Sequence, residues 1–198
     1  MLTSITPLGE RGRGMRWGVT TGWFAAGATA GGAVIGVLFG ALGATLAPLH
    51  HAKWTLLATA LAAALGWAFE RSLFGLRLPS PKRQVDDQWL YRYRGWVYGG
   101  GFGFQLGLGF VTVVNTSLVY LTAILCFVTG SPALGACLGG IFGAARGIPL
   151  LLVRHVQSWE DLVRVDQSQE VLERTSEIAA AIILAGVVAI GLVSATVF

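Results

Sequence analysis

Charge is scarce in this chain. Of its 198 residues only 12% are Asp, Glu, Lys or Arg, about half the share in a soluble globular domain. The scarcity is organised, because residues 17–52, 54–69, 95–145 and 178–198 carry none. With 54% hydrophobic residues and a mean hydropathy of +0.66, such runs point away from a water-soluble domain. A signal peptide would explain a single apolar stretch near the start, whereas these recur to the last residue.

Cysteine is nearly absent too. Cys126 and Cys137 form no CxxC pair and no zinc spacing, which excludes a disulfide scaffold and a zinc ribbon. In apolar runs both thiols are expected to pack as small hydrophobes. The three histidines (His50, His51 and His155) sit at the expected span ends, and the outer connection lacks the carboxylate or thiolate partners a metal would need, so no metal site and no cofactor are expected. Carboxylates are missing from every apolar run. General acid–base work needs such groups in the site, so the chain does not read as an enzyme.

What is present is hydrophobic length. A helix rising 1.5 Å per residue needs ~20 residues to cross the hydrocarbon core. The runs predict an all-α membrane protein, a glycine-rich polytopic bundle. Five spans are expected near 17–46, 54–75, 97–128, 132–153 and 176–198 (six in the alternative count), in one integral membrane domain covering residues 1–198. The third is long, ~48 Å if wholly helical against a core of ~30 Å. It is either one tilted helix or a helix broken around Val114-Asn115-Thr116-Ser117, where polar side chains can satisfy freed backbone groups.

Basic residues set the orientation. Arg11, Arg13 and Arg16 precede the first span, and 71–94 forms a basic loop with Arg71, Arg77, Lys82, Arg83, Arg92 and Arg94. The opposite connections hold only Lys53, so the expected location is the plasma (inner) membrane, multi-pass, with a cytoplasmic N-terminus. The net charge of +4 then implies anionic lipid, not nucleic acid. The lipid bilayer is the expected partner. In 154–175, Val156, Trp159 and Val163 share one helical face, which predicts an amphipathic surface segment.

Glycine is abundant, with 28 residues. Gly32, Gly36 and Gly40 recur every four residues in the first span, beside a second line of Gly27 and Gly31. Gly135, Gly139 and Gly143 repeat the pattern later. Small residues at that spacing let helix backbones approach closely, so these are helix-packing faces, open to a partner protein or a second copy. One charge interrupts the pattern. Arg146 stands before Gly147-Ile148-Pro149, which predicts a helix break beside a lone cation. Arg146 either snorkels to the surface or faces the bundle. In the second case Arg146, Asn115, Thr116, Ser117 and Gln105 are the candidate substrate-binding residues, with Gly147 and Pro149 as the break.

The stretches "GACLGGIFGAARGIPLLLV" (135–153), "YGGGFGFQLGLGF" (98–110) and Ser4-Ile5-Thr6-Pro7-Leu8 resemble the CcdA/DsbD transmembrane family of the LysE-type superfamily, whose members serve cytochrome c biogenesis and thiol–disulfide exchange. That resemblance implies a degenerate inverted repeat and a membrane redox relay. Yet Ser4 stands where the family has a cysteine, and 114–117 lacks both the cysteine and the proline of its second site. The resemblance thus implies a redox-inactive relative. A small transporter-like protein is the leading expectation. A non-catalytic membrane scaffold or assembly subunit is the alternative, and a thiol–disulfide electron carrier a further one.

Overall fold

The computed structural model describes residues 5–46, 52–70, 89–109 and 117–161, with 163, 164, 175, 178, 182, 183 and 186 beyond them. Every regular element among them is helical. A short α1 (Pro7–Gly12) leads into the long α2 (Trp17–Thr45), followed by α3 (Ala52–Glu70) and the single turn α4 (Trp89–Arg92). Then come α5 (Gly95–Leu108), α6 (Leu118–Val128), α7 (Pro132–Leu152) and a 3₁₀ turn over Val153–His155.

Local chemistry sets the ends of these helices. Thr6 caps α1 by accepting the Gly9 N–H at 3.1 Å, with Pro7 in the first turn, where its missing N–H costs nothing. Ser131 caps α7 in the same way, ahead of Pro132. The turn before it rests on Gly130 at φ +56°, a backbone setting other residues rarely adopt.

α2 is the axis of the molecule, and its two glycine lines serve two neighbours. Gly32, Gly36 and Gly40 meet α7 running antiparallel, at Gly139, Gly135 and Ser131 in turn. A Cβ on Gly36 would overlap the Gly135 carbonyl oxygen, and one on Gly139 the Gly32 carbonyl. Gly27 and Gly31 meet α5 running parallel, at Gly100 and Phe104. Gly103 and Gly107 of α5 press back on the carbonyls of Phe24 and Ala28. Gly143 also reaches the Ala28 carbonyl, so three helices converge there backbone to backbone.

The burial pattern is inverted relative to a soluble domain. On α2 the buried positions are Thr20, Thr21, Phe24, Ala28 and five glycines, while Leu38 and Leu42 are 53% and 55% exposed. On α7 the buried positions are Gly135, Gly139, Gly140, Gly143, Gly147 and Leu150, while Leu134 and Ile141 are 58% and 64% exposed. The conventional apolar core is small. Ile5, Phe24, Leu90, Tyr98, Phe102, Leu150, Val153 and Val156 gather where α1, the starts of α2 and α5, and the end of α7 meet.

The expectation of five spans (or six) is corrected to two candidate spans among the described residues. Among the described residues only Trp17–Thr45 and Pro132–His155 are long and apolar enough to cross a membrane. The expected third span is interrupted, leaving helices of 14 and 11 residues, each too short to cross alone. Of the second, Ala52–Glu70 is helical, with Thr59–Phe69 a shorter apolar helix, while 71–75, and 176–198 apart from isolated positions, lie outside the described residues. The glycine faces expected to be open to a partner or a second copy are occupied within the chain, because α7 and α5 fill them.

Candidate functional site

Two polar clusters sit inside this glycine-packed frame. The first surrounds Arg146. α5 runs alongside only the first half of α2 and stops at Leu108, where Gly109 turns away at φ +76°. A helix that ends inside a bundle leaves carbonyls without intrahelical donors. Gly109 N–H bonds the Leu106 carbonyl at 3.1 Å, and Arg146 Nη1 donates to the same oxygen at 2.8 Å. The guanidinium therefore caps α5, where the helix dipole is negative. It lies 5.8 Å from the centre of the Phe142 ring, one turn earlier on its own helix. A Cβ on Gly109 would lie 3.6 Å from Arg146 Nη1 and 2.8 Å from Val119, so the start of α6 adjoins the same corner. Arg146 thus faces the bundle, and what it meets is a helix end.

The expected break at Gly147 and Pro149 does not form. α7 runs through both to Leu152, with Gly147 buried and facing Ala25 of α2, so this proline is accommodated inside a continuous helix. Ser117 is buried at the start of α6, and Gln105 is half-buried on α5. Asn115 and Thr116 lie outside the described residues. Of the five candidate substrate-binding residues, Arg146, Gln105 and Ser117 thus lie among the described residues, on α7, on α5 and at the start of α6.

The second cluster was not legible beforehand. Glu10 is fully buried, and both of its carboxylate oxygens are engaged. Arg13 Nη2 donates to Oε1 at 2.6 Å, the Tyr98 hydroxyl donates to the same oxygen, and the Thr20 hydroxyl donates to Oε2 at 2.6 Å. Arg13 also stacks 5.8 Å from the Tyr98 ring centre. Gly95 makes room for this, since a Cβ there would stand 2.6 Å from the Thr20 hydroxyl. Desolvation alone would lower the Arg13 pKa, but the hydrogen bond and attraction of Glu10 outweigh it and hold the guanidinium above its usual value. Around the cluster, Leu8 N–H bonds the Val156 carbonyl at 3.3 Å and the Trp17 indole bonds the Ile5 carbonyl at 3.3 Å. α1 is thereby fastened to α2, α5 and the end of α7 together. The available signal was that Glu10 is the only acid before residue 70, among arginines. Its partner Tyr98 is 88 positions away.

Cys126 is buried, its thiol donating to the Gly135 carbonyl at 3.6 Å, whereas Cys137 is exposed on α7 and not packed as expected. Among the described residues no group of His, Cys, Asp and Glu could hold a metal ion. In the expected amphipathic segment, Val156 is buried against the chain itself, while Trp159 and Val163 are exposed. Ser158 and Asp161 cap each other there, the carboxylate accepting the Gln157 and Ser158 N–H groups and the Ser158 hydroxyl accepting the Asp161 N–H. Those bonds, led by the one with Ser158, hold the Asp161 carboxyl below its usual pKa.

No family model and no solved structure matches the chain. Curated relatives do. The chain is 34% identical over 170 residues to the methylamine utilization protein MauF of Paracoccus versutus, covering 79% of this chain and 61% of that protein. It is 32% identical over 155 residues to MauF of Paracoccus denitrificans, covering 75% and 55%. For MauF of Methylophilus methylotrophus the identity is 28% over 183 residues, covering 83% and 62%. The chain spans about three-fifths of the length of these relatives. These matches overturn the CcdA/DsbD resemblance, which rested on glycine-rich helices that unrelated membrane proteins share. With it go the transporter, thiol–disulfide and cytochrome c biogenesis readings, and the chain is instead similar to the MauF proteins of methylamine utilization.

Proposed function

We propose that this chain is a membrane-embedded accessory protein of methylamine utilization. The observation that carries the reading is the 34% identity to MauF over 170 residues. The inverted burial of α2 and α7 supports the membrane part. A buried core helix of a soluble domain would bury most of its apolar stretch, whereas 28% and 33% are buried here. Lipid accepts Leu and Ile at the outer face and offers no drive for helix association, so glycine contacts must supply it. The N-terminus and the end of α7 lie on the cytoplasmic side, following the arginines clustered at that end.

The role is not catalytic. Glu10 spends both oxygens on protein donors, and Arg146 is bonded to a helix end, so the two most reactive-looking buried groups hold helices in place. Deleting the gene in its own host tests the function. Growth on methylamine should be lost while growth on an unrelated carbon source with ammonium persists. Undiminished growth on methylamine would overturn the reading. Membrane fractions washed with alkaline carbonate test the location, and release of the chain into the wash would contradict it.

A further inference from the structure

We infer that one end of the bundle is a docking collar for the anionic phospholipid headgroups of a single leaflet, an inference that rests on the membrane reading above. α2 begins at this end, α5 runs parallel and begins there too, α7 runs antiparallel and ends there, and α1 is bonded to Val156 just beyond α7. Arg11, Arg16, Arg92, Arg94 and Arg154 all lie exposed around it. They come from α1, from the approaches to α2 and α5, from α4 and from the turn after α7, so several separate elements bring arginines to this one end.

The local acids do not neutralise them. Glu10 is buried with Arg13, and Asp161 is engaged in its helix cap and lies 3.6 Å from Arg164, which leaves Glu160 as the exposed acid free of such bonds among the described residues at this end. At the other end of α2, around Leu46, the start of α3 and the Thr129–Ser131 turn, Lys53 is the one charged residue among the described residues.

Just inside the arginines sits an aromatic pair. Trp23 and Trp96 are each 50% exposed, with ring centres 5.8 Å apart. Arg16 and Trp23 are seven residues apart, a rise of ~10 Å along a helix. That offset suits a cation at the phosphates with an indole at the glycerol level. Beyond the pair the outer face becomes Val34, Val37, Leu38 and Leu42, all exposed. A cationic end, an aromatic step and an aliphatic wall in that order match the layers of an anionic leaflet.

The test reads the indole pair, in a chain whose other five tryptophans are replaced by phenylalanine, in vesicles holding equal parts of phosphatidylglycerol and phosphatidylcholine, with bromine on the acyl chains of one lipid or the other. Brominated phosphatidylglycerol should quench tryptophan fluorescence more than brominated phosphatidylcholine. That preference should fall in high salt and in Arg16→Gln/Arg94→Gln, by up to about fivefold per arginine removed. Arg11→Gln/Arg154→Gln, on different elements, should lower it likewise. Equal quenching by the two lipids, or a preference unchanged in both variants, would overturn the collar. If neither lipid quenches, the membrane reading itself fails, a separate result.

Discussion

Removing the Glu10 carboxylate should be among the most damaging single changes in the described part of the chain. Glu10→Ala leaves three donors facing the space it occupied. Tyr98 is 0% exposed and Thr20 is 1% exposed, so neither hydroxyl can turn to solvent. Each orphaned buried donor costs about 1–3 kcal/mol. The Arg13 side chain is 15% exposed, so it recovers part of its hydration by swinging outward. Relief from burying the carboxylate offsets some of the loss. The sum falls in the range of about 3–5 kcal/mol found when one member of a buried ion pair is removed. Glu10→Gln keeps one carbonyl acceptor for Tyr98 and can donate to Thr20, so it should cost roughly half as much. Glu10→Gln/Arg13→Gln should be less harmful than the two single changes added together, because no buried charge is left alone. Unfolding in mixed detergent micelles, followed by tryptophan emission, measures the wild type, Glu10→Ala, Glu10→Gln, Arg13→Gln and the double change. A Glu10→Ala protein within about 1 kcal/mol of wild type would refute the reasoning.

Gly36→Ala should destabilise by about 1–3 kcal/mol or more, since its Cβ meets the Gly135 carbonyl and the helices must part. Gly22→Ala, with nothing within 4 Å of the added carbon, should be neutral or gain up to ~1 kcal/mol in helix propensity, and the same unfolding assay compares the two. Arg146→Leu should cost about 1.5–3 kcal/mol through its lost charged hydrogen bond to Leu106. It should speed amide exchange in the last turn of α5, and Arg146→Lys should restore only part of the protection. The depressed Asp161 pKa means that its stabilising contribution is present above the ordinary aspartate range and is lost as pH falls through its lower folded value. The protection factors of the Gln157 and Ser158 amides, taken against intrinsic exchange at each pH, should therefore fall in acid, and Asp161→Asn should remove that pH dependence.

The helix faces could be read from the sequence because small residues at a four-residue spacing carry their own packing instruction. Gly32, Gly36 and Gly40 against Gly135 and Gly139 needed no knowledge of the partner helix. The span count failed for a definite reason. An uncharged run such as 95–145 records what lipid tolerates, not where a helix stops, and Gly109 ends one inside it. The orientation of Arg146 was undecided because its acceptor is a backbone carbonyl, and carbonyls leave no mark in a sequence. Pro149 read as a break because the lost hydrogen bond is local, whereas the contacts that hold α7 as one continuous helix come from α2. Glu10 resembled one more surface charge near the chain start, because the groups that bury it come from α2 and α5.

The central claim is that the small residues of α2 and α7 face inward and their large aliphatic residues face lipid. Nitroxide labels placed singly at Leu38, Leu42, Leu134 and Ile141, on a chain whose Cys126 and Cys137 have been replaced, measure this in reconstituted vesicles. The account predicts frequent collision with molecular oxygen and rare collision with a water-soluble nickel chelate at all four positions. Nickel accessibility matching that of a label at the exposed Glu160 would place those faces in water and contradict it.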